Sequence, residues 1–226
     1  MNLRTSILAV AATGAALALA GSASAAITVS IYHTDPNAVA AAADATIAQA
    51  AGMVADATVN VSAIDFTDAP GNDSNTFTIG DFLNNPAGLS STVANLKLND
   101  TYFLFTGSTF LNAGMNSFVV PHDDGLQLNF PGLTPSLVID QPGPTSPVDT
   151  PFNVNAPVAG LYSFQLSYGE THGGPAVLRF QVNDQTVGGG VPEPASWALM
   201  IVGFGGAGAV LRRRKAAPRT MALQPT

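Results

Sequence analysis

The chain has 226 residues, of which 46% are hydrophobic and 10% charged, and it contains no cysteine. Without cysteine there is no disulfide framework, no thiolate nucleophile and no Cys-ligated zinc site. Fourteen of the fifteen acidic residues lie between the two ends, against only Lys97 and Arg179 of the eight basic ones, so the central region carries about −12 and nucleic acid is a poor partner.

Residues 1–26 read as a secretory signal peptide: a basic Arg4, an apolar stretch from Ile7 to Ala20, then Gly21-Ser22-Ala23-Ser24-Ala25. Ala23 and Ala25 form the A-x-A site, and cleavage is expected after Ala25 or Ala26. An uncleaved N-terminal anchor is the alternative. Roughly 165 residues remain between the two ends, which suits one domain, expected at 27–187. A domain of that size buries roughly two-thirds of its chain surface without covalent staples. Thirteen of its fourteen acids are Asp, a residue that favours turns and offers short, hard oxygen ligands.

Ile27 to Tyr32 predicts a first strand. Asp35-Pro36 then supplies an N-cap and a first-turn proline ahead of an alanine-rich helix to about Ala51, ended by Gly52. Thr58 to Ile64 alternates as a strand does, and Thr78-Ile79-Gly80-Asp81 has the pattern of a capping box opening a short helix through Phe82 and Leu83. Beyond Thr101 the period is two. Leu126, Leu128 and Phe130 alternate with Gln127 and Asn129; Tyr162, Phe164, Leu166 and Tyr168 with Ser163, Gln165 and Ser167; Leu178, Phe180 and Val182 with Arg179 and Gln181. Each such strand is expected to have one wet face. The fold class is therefore mainly β: an antiparallel, jelly-roll-like β-sandwich with one or two short helices, flanked by an N-terminal signal helix and a single C-terminal transmembrane helix. Six prolines between Pro131 and Pro151 predict a long surface connection.

Asp123-Asp124-Gly125 is the most suggestive polar string. Two hard carboxylates on a rigid hairpin would supply part of the six to eight oxygens of a calcium site. The plainer reading is a turn in which Gly125 takes a positive φ and the carboxylates are solvated. His122 beside the pair, His33 and His172 would make a metal cluster only if the fold gathered them, since their spacing matches no zinc motif. Glu170 is the lone central glutamate, either a general acid or a hydrogen-bonding structural residue. No G-x-S-x-G, HExxH, P-loop or Rossmann glycine pattern occurs, which argues against the common hydrolase families.

The C-terminal part reads VPEPASWALMIVGFGGAGAVLRRRK after Gly188-Gly189-Gly190. Pro192-Glu193-Pro194 is incompatible with a regular helix and should be extended and accessible. Ala198 to Leu211 is uncharged; as a helix it would reach about 21 Å, short of a hydrocarbon core of about 30 Å. Trp197 suits the outer interface, and Arg212, Arg213, Arg214 and Lys215 the inner one, which places the C-terminus in the cytoplasm and the central domain outside. A plain tail anchor would share these features, and Gly203, Gly205, Gly206 and Gly208 would also suit a helix dimer.

With its Pro-Glu-Pro, Trp197, glycine-rich span and arginine cluster, this segment resembles the PEP-CTERM sorting signal in its PEPxxWA form. The resemblance implies recognition by a membrane-embedded, exosortase-type processing enzyme in a bacterium that makes exopolysaccharide. It divides the C-terminal part into a sorting signal at 188–215 and a cytoplasmic tail at 216–226, longer than the family's usual few residues. A second likeness lies in FVVPHDDGLQLNF, the proline-rich connection and GLYSFQLSYGETHGGPAVLRFQV, which are similar in element order to protective-antigen-like domains. In the related flocculin adhesins an adjacent Asp pair holds calcium and helps bind sugar hydroxyls, so the resemblance carries that role to Asp123 and Asp124 alone. The two resemblances together imply a non-catalytic surface or matrix module that binds polysaccharide, with calcium as its candidate cofactor. The alternatives are a glycan-active enzyme using Asp123, Asp124 or Glu170, and an inert coat protein.

Overall fold

The computed structural model describes residues 26–33, 45–67, 76–171 and 175–188. The signal peptide with Ala23 and Ala25, most of the predicted alanine-rich helix, His172, the sorting signal and the transmembrane segment lie outside these residues.

Alternation of apolar and polar residues produces strands wherever the sequence analysis expects them. Chain order gives β1 (Ile27–His33), β2 (Ala57–Val61), β3 (Asp65–Thr67), β4 (Thr101–Leu111), β5 (Gly114–Asp123) and β6 (Leu126–Asn129). There follow β7 (Leu137–Gln141), β8 (Val148–Ala156), β9 (Gly160–Glu170), β10 (Val177–Arg179), β11 (Gln181–Val182) and β12 (Gln185–Thr186). They form two sheets, one ordered β2-β1-β4-β9-β6-β7 and the other β12-β11-β5-β10-β3 with β8 on the remaining edge of β5. Every pairing is antiparallel.

Because strand side chains alternate between faces, Phe103 and Phe105 of β4 and Phe164, Leu166 and Tyr168 of β9 point inward, where they join Phe118 and Val120 of β5 and the flanking Leu178 and Phe180 in one core. Rings bridge the sheets: Phe164 and Phe180 meet edge to face with centroids 5.3 Å apart. Such pairs contribute about 0.5–1.5 kcal/mol beyond the area they bury. Among the described residues the main core runs from Ile27 to Val187, so the sandwich has a core of its own.

Two short helices pack at the side: α1 (Ile79–Phe82) and α2 (Ser91–Ala94). The predicted capping box opens α1, with the Asp81 N–H donating to Thr78 Oγ1 at 3.1 Å and the Thr78 N–H reaching back to Asp81 Oδ2 at 3.3 Å. The described part of the alanine-rich run is a 3-10 turn at Ile47–Gly52, and Gly52 does end it.

The structure corrects three expectations. Pro131 to Pro151 is not a loop: it holds β7 and the start of β8, both at sheet edges. Pro151 lies opposite Val119 on edge strand β8, where a missing N–H costs no ladder bond if it faces outward. The polar face of β9 is not wet along its length, because Ser167 is buried under residues 45–46 and donates to the Ala45 carbonyl. Tyr32 and Tyr102 pack with Ala45 in a second small core on that outer face. Finally, Asp123-Asp124-Gly125 is not a hairpin turn. It is a corner carrying the chain from β5 in one sheet to β6 in the other, with a cis peptide bond between Asp123 and Asp124.

Candidate functional site

Burying charge is costly unless it is paired or serves a purpose. Among the described residues the buried charged side chains are Asp100, Asp123, Asp124 and Glu170, and all four fall at one end of the sandwich, together with buried His122. Register explains the convergence. Thr101 at the start of β4 pairs with Glu170 at the end of β9, and the Asp100 N–H donates to the Thr171 carbonyl at 3.0 Å. The Asp123–Asp124 corner reaches the same place, with the Gly169 N–H donating to the Gly125 carbonyl at 3.0 Å.

Asp124 is 7% exposed, so the solvated-carboxylate reading does not hold. Its Oδ2 accepts from the Thr171 hydroxyl at 2.6 Å and the Thr171 N–H at 3.0 Å, and its Oδ1 from the Thr145 N–H at 3.1 Å. One carboxylate thus ties the corner both to the end of β9 and to the β7–β8 connection. The Asp123 carbonyl accepts from the Tyr168 hydroxyl, which also lies 2.9 Å from Glu170 Oε2. Complete burial, and next the neighbouring Glu170 charge, push the Tyr168 hydroxyl well above the usual phenol range, so it stays a donor. Gly125 is not in the left-handed region. A Cβ there would fall 2.0 Å from the Pro142 carbonyl oxygen, so glycine is required by the close approach of another backbone segment.

His122 is buried, with Nδ1 2.6 Å from the Asp124 carbonyl and Nε2 2.9 Å from Thr150 Oγ1. A carbonyl only accepts, so Nδ1 carries the proton, while Nε2 faces a Thr150 hydroxyl that donates to Gln141 Oε1 at 3.1 Å. Burial holds the imidazole below its ordinary pKa, against hydrogen bonds that work the other way. With contacts at both nitrogens, His122 braces the corner. His33 stands apart, its Nδ1 3.1 Å from Thr101 Oγ1.

Asp123 and Asp124 match calcium in ligand type. They supply a minority of its shell, since Asp124 already accepts three hydrogen bonds. Among the described residues no group of three or more His, Asp or Glu side chains is arranged to hold a metal. Carbonyl oxygens and water would have to complete the six to eight oxygens. Sequence reasoning found Asp123, Asp124 and Glu170 but missed Tyr168, Thr145 and Thr171. Tyr168 sits two positions before Glu170 on the same face of β9, a signal that was available; nothing local marks the two threonines.

Comparison with known proteins decides the C-terminal part. Residues 190–215 match the PEP-CTERM protein-sorting motif. The PEP-CTERM match spans Pro192, Glu193, Pro194, Trp197 and Arg212 to Arg214, all outside the described residues. It marks a protein exported through the inner membrane, anchored there as a precursor and delivered to the cell surface or beyond. No curated protein matches the chain in sequence. Among the solved structures that share the fold of the sandwich are two PA14 domains. One is the PA14 domain of the MpAFP antifreeze protein, at 18% identity and TM-score 0.52, over 69% of this chain and 80% of that one. The other is a PA14 sugar-binding domain from an RTX adhesin, at 23% identity and TM-score 0.51, over 74% and 93%. The sandwich therefore has the protective-antigen-like fold that its element order suggested.

Proposed function

We propose that the sandwich is a non-catalytic binding module that an exosortase-type enzyme delivers to the cell surface, where it holds polysaccharide or a neighbouring surface component. The PEP-CTERM motif is joined to a PA14-like sandwich whose buried acids gather at one braced end, and that combination carries the reading. The fold is shared with a domain named for sugar binding, and a surface module of this kind needs a preformed site more than a reactive group. In this reading the domain occupies 27–187 and the sorting signal 188–215, with signal peptidase cutting beside Ala23 and Ala25. Calcium, when bound, would be held by Asp123 and by the remaining lone pair of Asp124 Oδ1, and would orient vicinal hydroxyls of a sugar. Thr145 and Thr171 fix the Asp124 carboxylate, and Tyr168 holds the Asp123 main-chain carbonyl, before any ligand arrives. Glu170, hydrogen-bonded to Tyr168, is assigned as a positioning residue and not a general acid.

Alanine substitution at Asp123, Asp124 and Glu170, followed by glycan binding and reducing-sugar assays, tests the proposal. The expected result is glycan binding without release of reducing ends, weakened by the two aspartate substitutions. Turnover in the wild type that disappears in the variants would replace the binding module with an enzyme.

A further inference from the structure

A second polar concavity lies away from the acidic end, where β2 and β3, the edge strands of the two sheets, meet the loop after α1. It is a cleft of about 300 Å³, near the lower end of the range for small-ligand sites. Ala63, Pro86 and Ala87 give it its accessible apolar surface, over the core side chains of Phe66 and Leu83, and Asn60, Ser62, Asp65 and Asn84 stand exposed around it. The rim is held in place from behind. Asn84 and Asn85 are both left-handed, at φ 59° and 48°, a conformation asparagine tolerates better than most residues. The corner they form is closed by the Asn85 N–H donating to the Gly80 carbonyl at 2.7 Å. Thr28 Oγ1 donates to Asn60 Oδ1 at 3.1 Å, which orients that amide and leaves its NH2 group for other partners. The Asn84 amide and the Ser62 hydroxyl make no hydrogen bond within the described residues.

The chemistry of the lining narrows the ligand. Asp65 is paired with Arg179 at 2.9 Å, so the one carboxylate at the rim is neutralised. Among the described residues no cation lines the cleft, and the domain as a whole carries about −12, which repels phosphates and uronates. What remains is a small apolar surface from Ala63, Pro86 and Ala87 beside amides, a hydroxyl and a paired carboxylate. A pyranose presents the matching pair of surfaces, an apolar C–H face and a ring of hydroxyls that both donate and accept.

Resting on the surface-binding reading above, we infer that this cleft is a second glycan subsite and that it takes a neutral sugar residue. The acidic end and the cleft would then be two separate contacts on one module, able to engage a polysaccharide at two points and gain from the high effective concentration of the second.

The test uses the full chain in a detergent without a sugar headgroup, titrated with neutral methyl glycosides and with glucuronate, and read by saturation-transfer NMR. The variants are Asn84→Gly, which keeps the left-handed backbone, Ala87→Trp, which fills the cleft from an exposed position, and the Asp123→Asn/Asp124→Asn pair as control. The inference expects a neutral glycoside signal that survives in the aspartate pair, that in this background Asn84→Gly weakens at least tenfold and Ala87→Trp abolishes, and that glucuronate does not give. Loss of the signal in the aspartate pair alone would overturn the cleft and leave the surface-binding reading standing. Signal that persists in every variant would overturn it likewise. If no neutral glycoside binds the wild type, the cleft is overturned too, and the parent reading is then judged separately by whole-polysaccharide binding.

Discussion

Replacing Thr171 by Val removes the hydroxyl that donates to Asp124 Oδ2 at 2.6 Å while leaving the Thr171 N–H bond to the same oxygen in place. Valine has nearly the shape of threonine and suits the end of a strand, so no cavity opens. Thr171 is 4% exposed and Asp124 7%, so water does not readily replace the lost bond. A hydrogen bond to a charged group contributes about 1.5–3 kcal/mol, and that is the expected loss. For a domain of roughly 160 residues it corresponds to a melting temperature lower by about 4–10 °C. The assay is urea unfolding of wild type, Thr171→Val, Asp124→Asn and the double variant, arranged as a double-mutant cycle. The two residues are each other's hydrogen-bond partners, so a coupling of about 1 kcal/mol or more is expected. A loss under about 0.5 kcal/mol for Thr171→Val, together with additive effects, would refute the assignment of Asp124 as the bracket of this corner.

Three further outcomes are expected at the same end of the molecule. Gly125→Ala should cost about 3 kcal/mol or prevent folding, since its Cβ would overlap the Pro142 carbonyl; an unchanged midpoint in urea would refute the close approach. His122 is held below its ordinary pKa of about 6.5, so the unfolded chain takes up a proton more readily. Stability should fall as pH drops below about 6.5 and level off below the folded-state pKa, and thermal melts of His122→Gln should show a flatter dependence over that window. If calcium binds with a dissociation constant near 10⁻⁴ M, a concentration of 10 mM should add about 2.7 kcal/mol, a rise of several degrees in melting temperature that magnesium does not reproduce. That rise should vanish in Asp123→Asn/Asp124→Asn, and an equal rise in both proteins would assign it to general charge screening.

Local pattern made some of this fold legible and left the rest hidden. Leu126, Leu128 and Phe130, or Phe164, Leu166 and Tyr168, announce strands because a half-buried strand must alternate, and Thr78 with Asp81 announces a helix start because orphan N–H groups need acceptors. Burial of Ser167 was not legible, since it depends on residues 45–46 crossing the outer face more than a hundred positions away in sequence. Proline density between Pro131 and Pro151 misled, because a proline at a sheet edge costs little if its nitrogen faces outward, and only the tertiary arrangement says which strands are edges. At the candidate site the sequence offered two adjacent carboxylates and a glycine. That string is compatible with a solvated turn, and Thr145 and Thr171, which make it a buried bracket, reach it only through the register of β9 and the β7–β8 connection.

Binding at equilibrium to a polysaccharide that the chain does not cut tests the central claim most directly. Purified chain is sedimented with insoluble neutral and acidic polysaccharides, with and without 10 mM calcium, and the supernatant is assayed for reducing ends. A surface-binding module should co-sediment with neutral polysaccharide in a saturable way, release no sugar, and lose affinity when Asp123 and Asp124 are replaced by Asn. Saturable binding accompanied by steady release of reducing ends, or no binding to any polysaccharide under either condition, would contradict it.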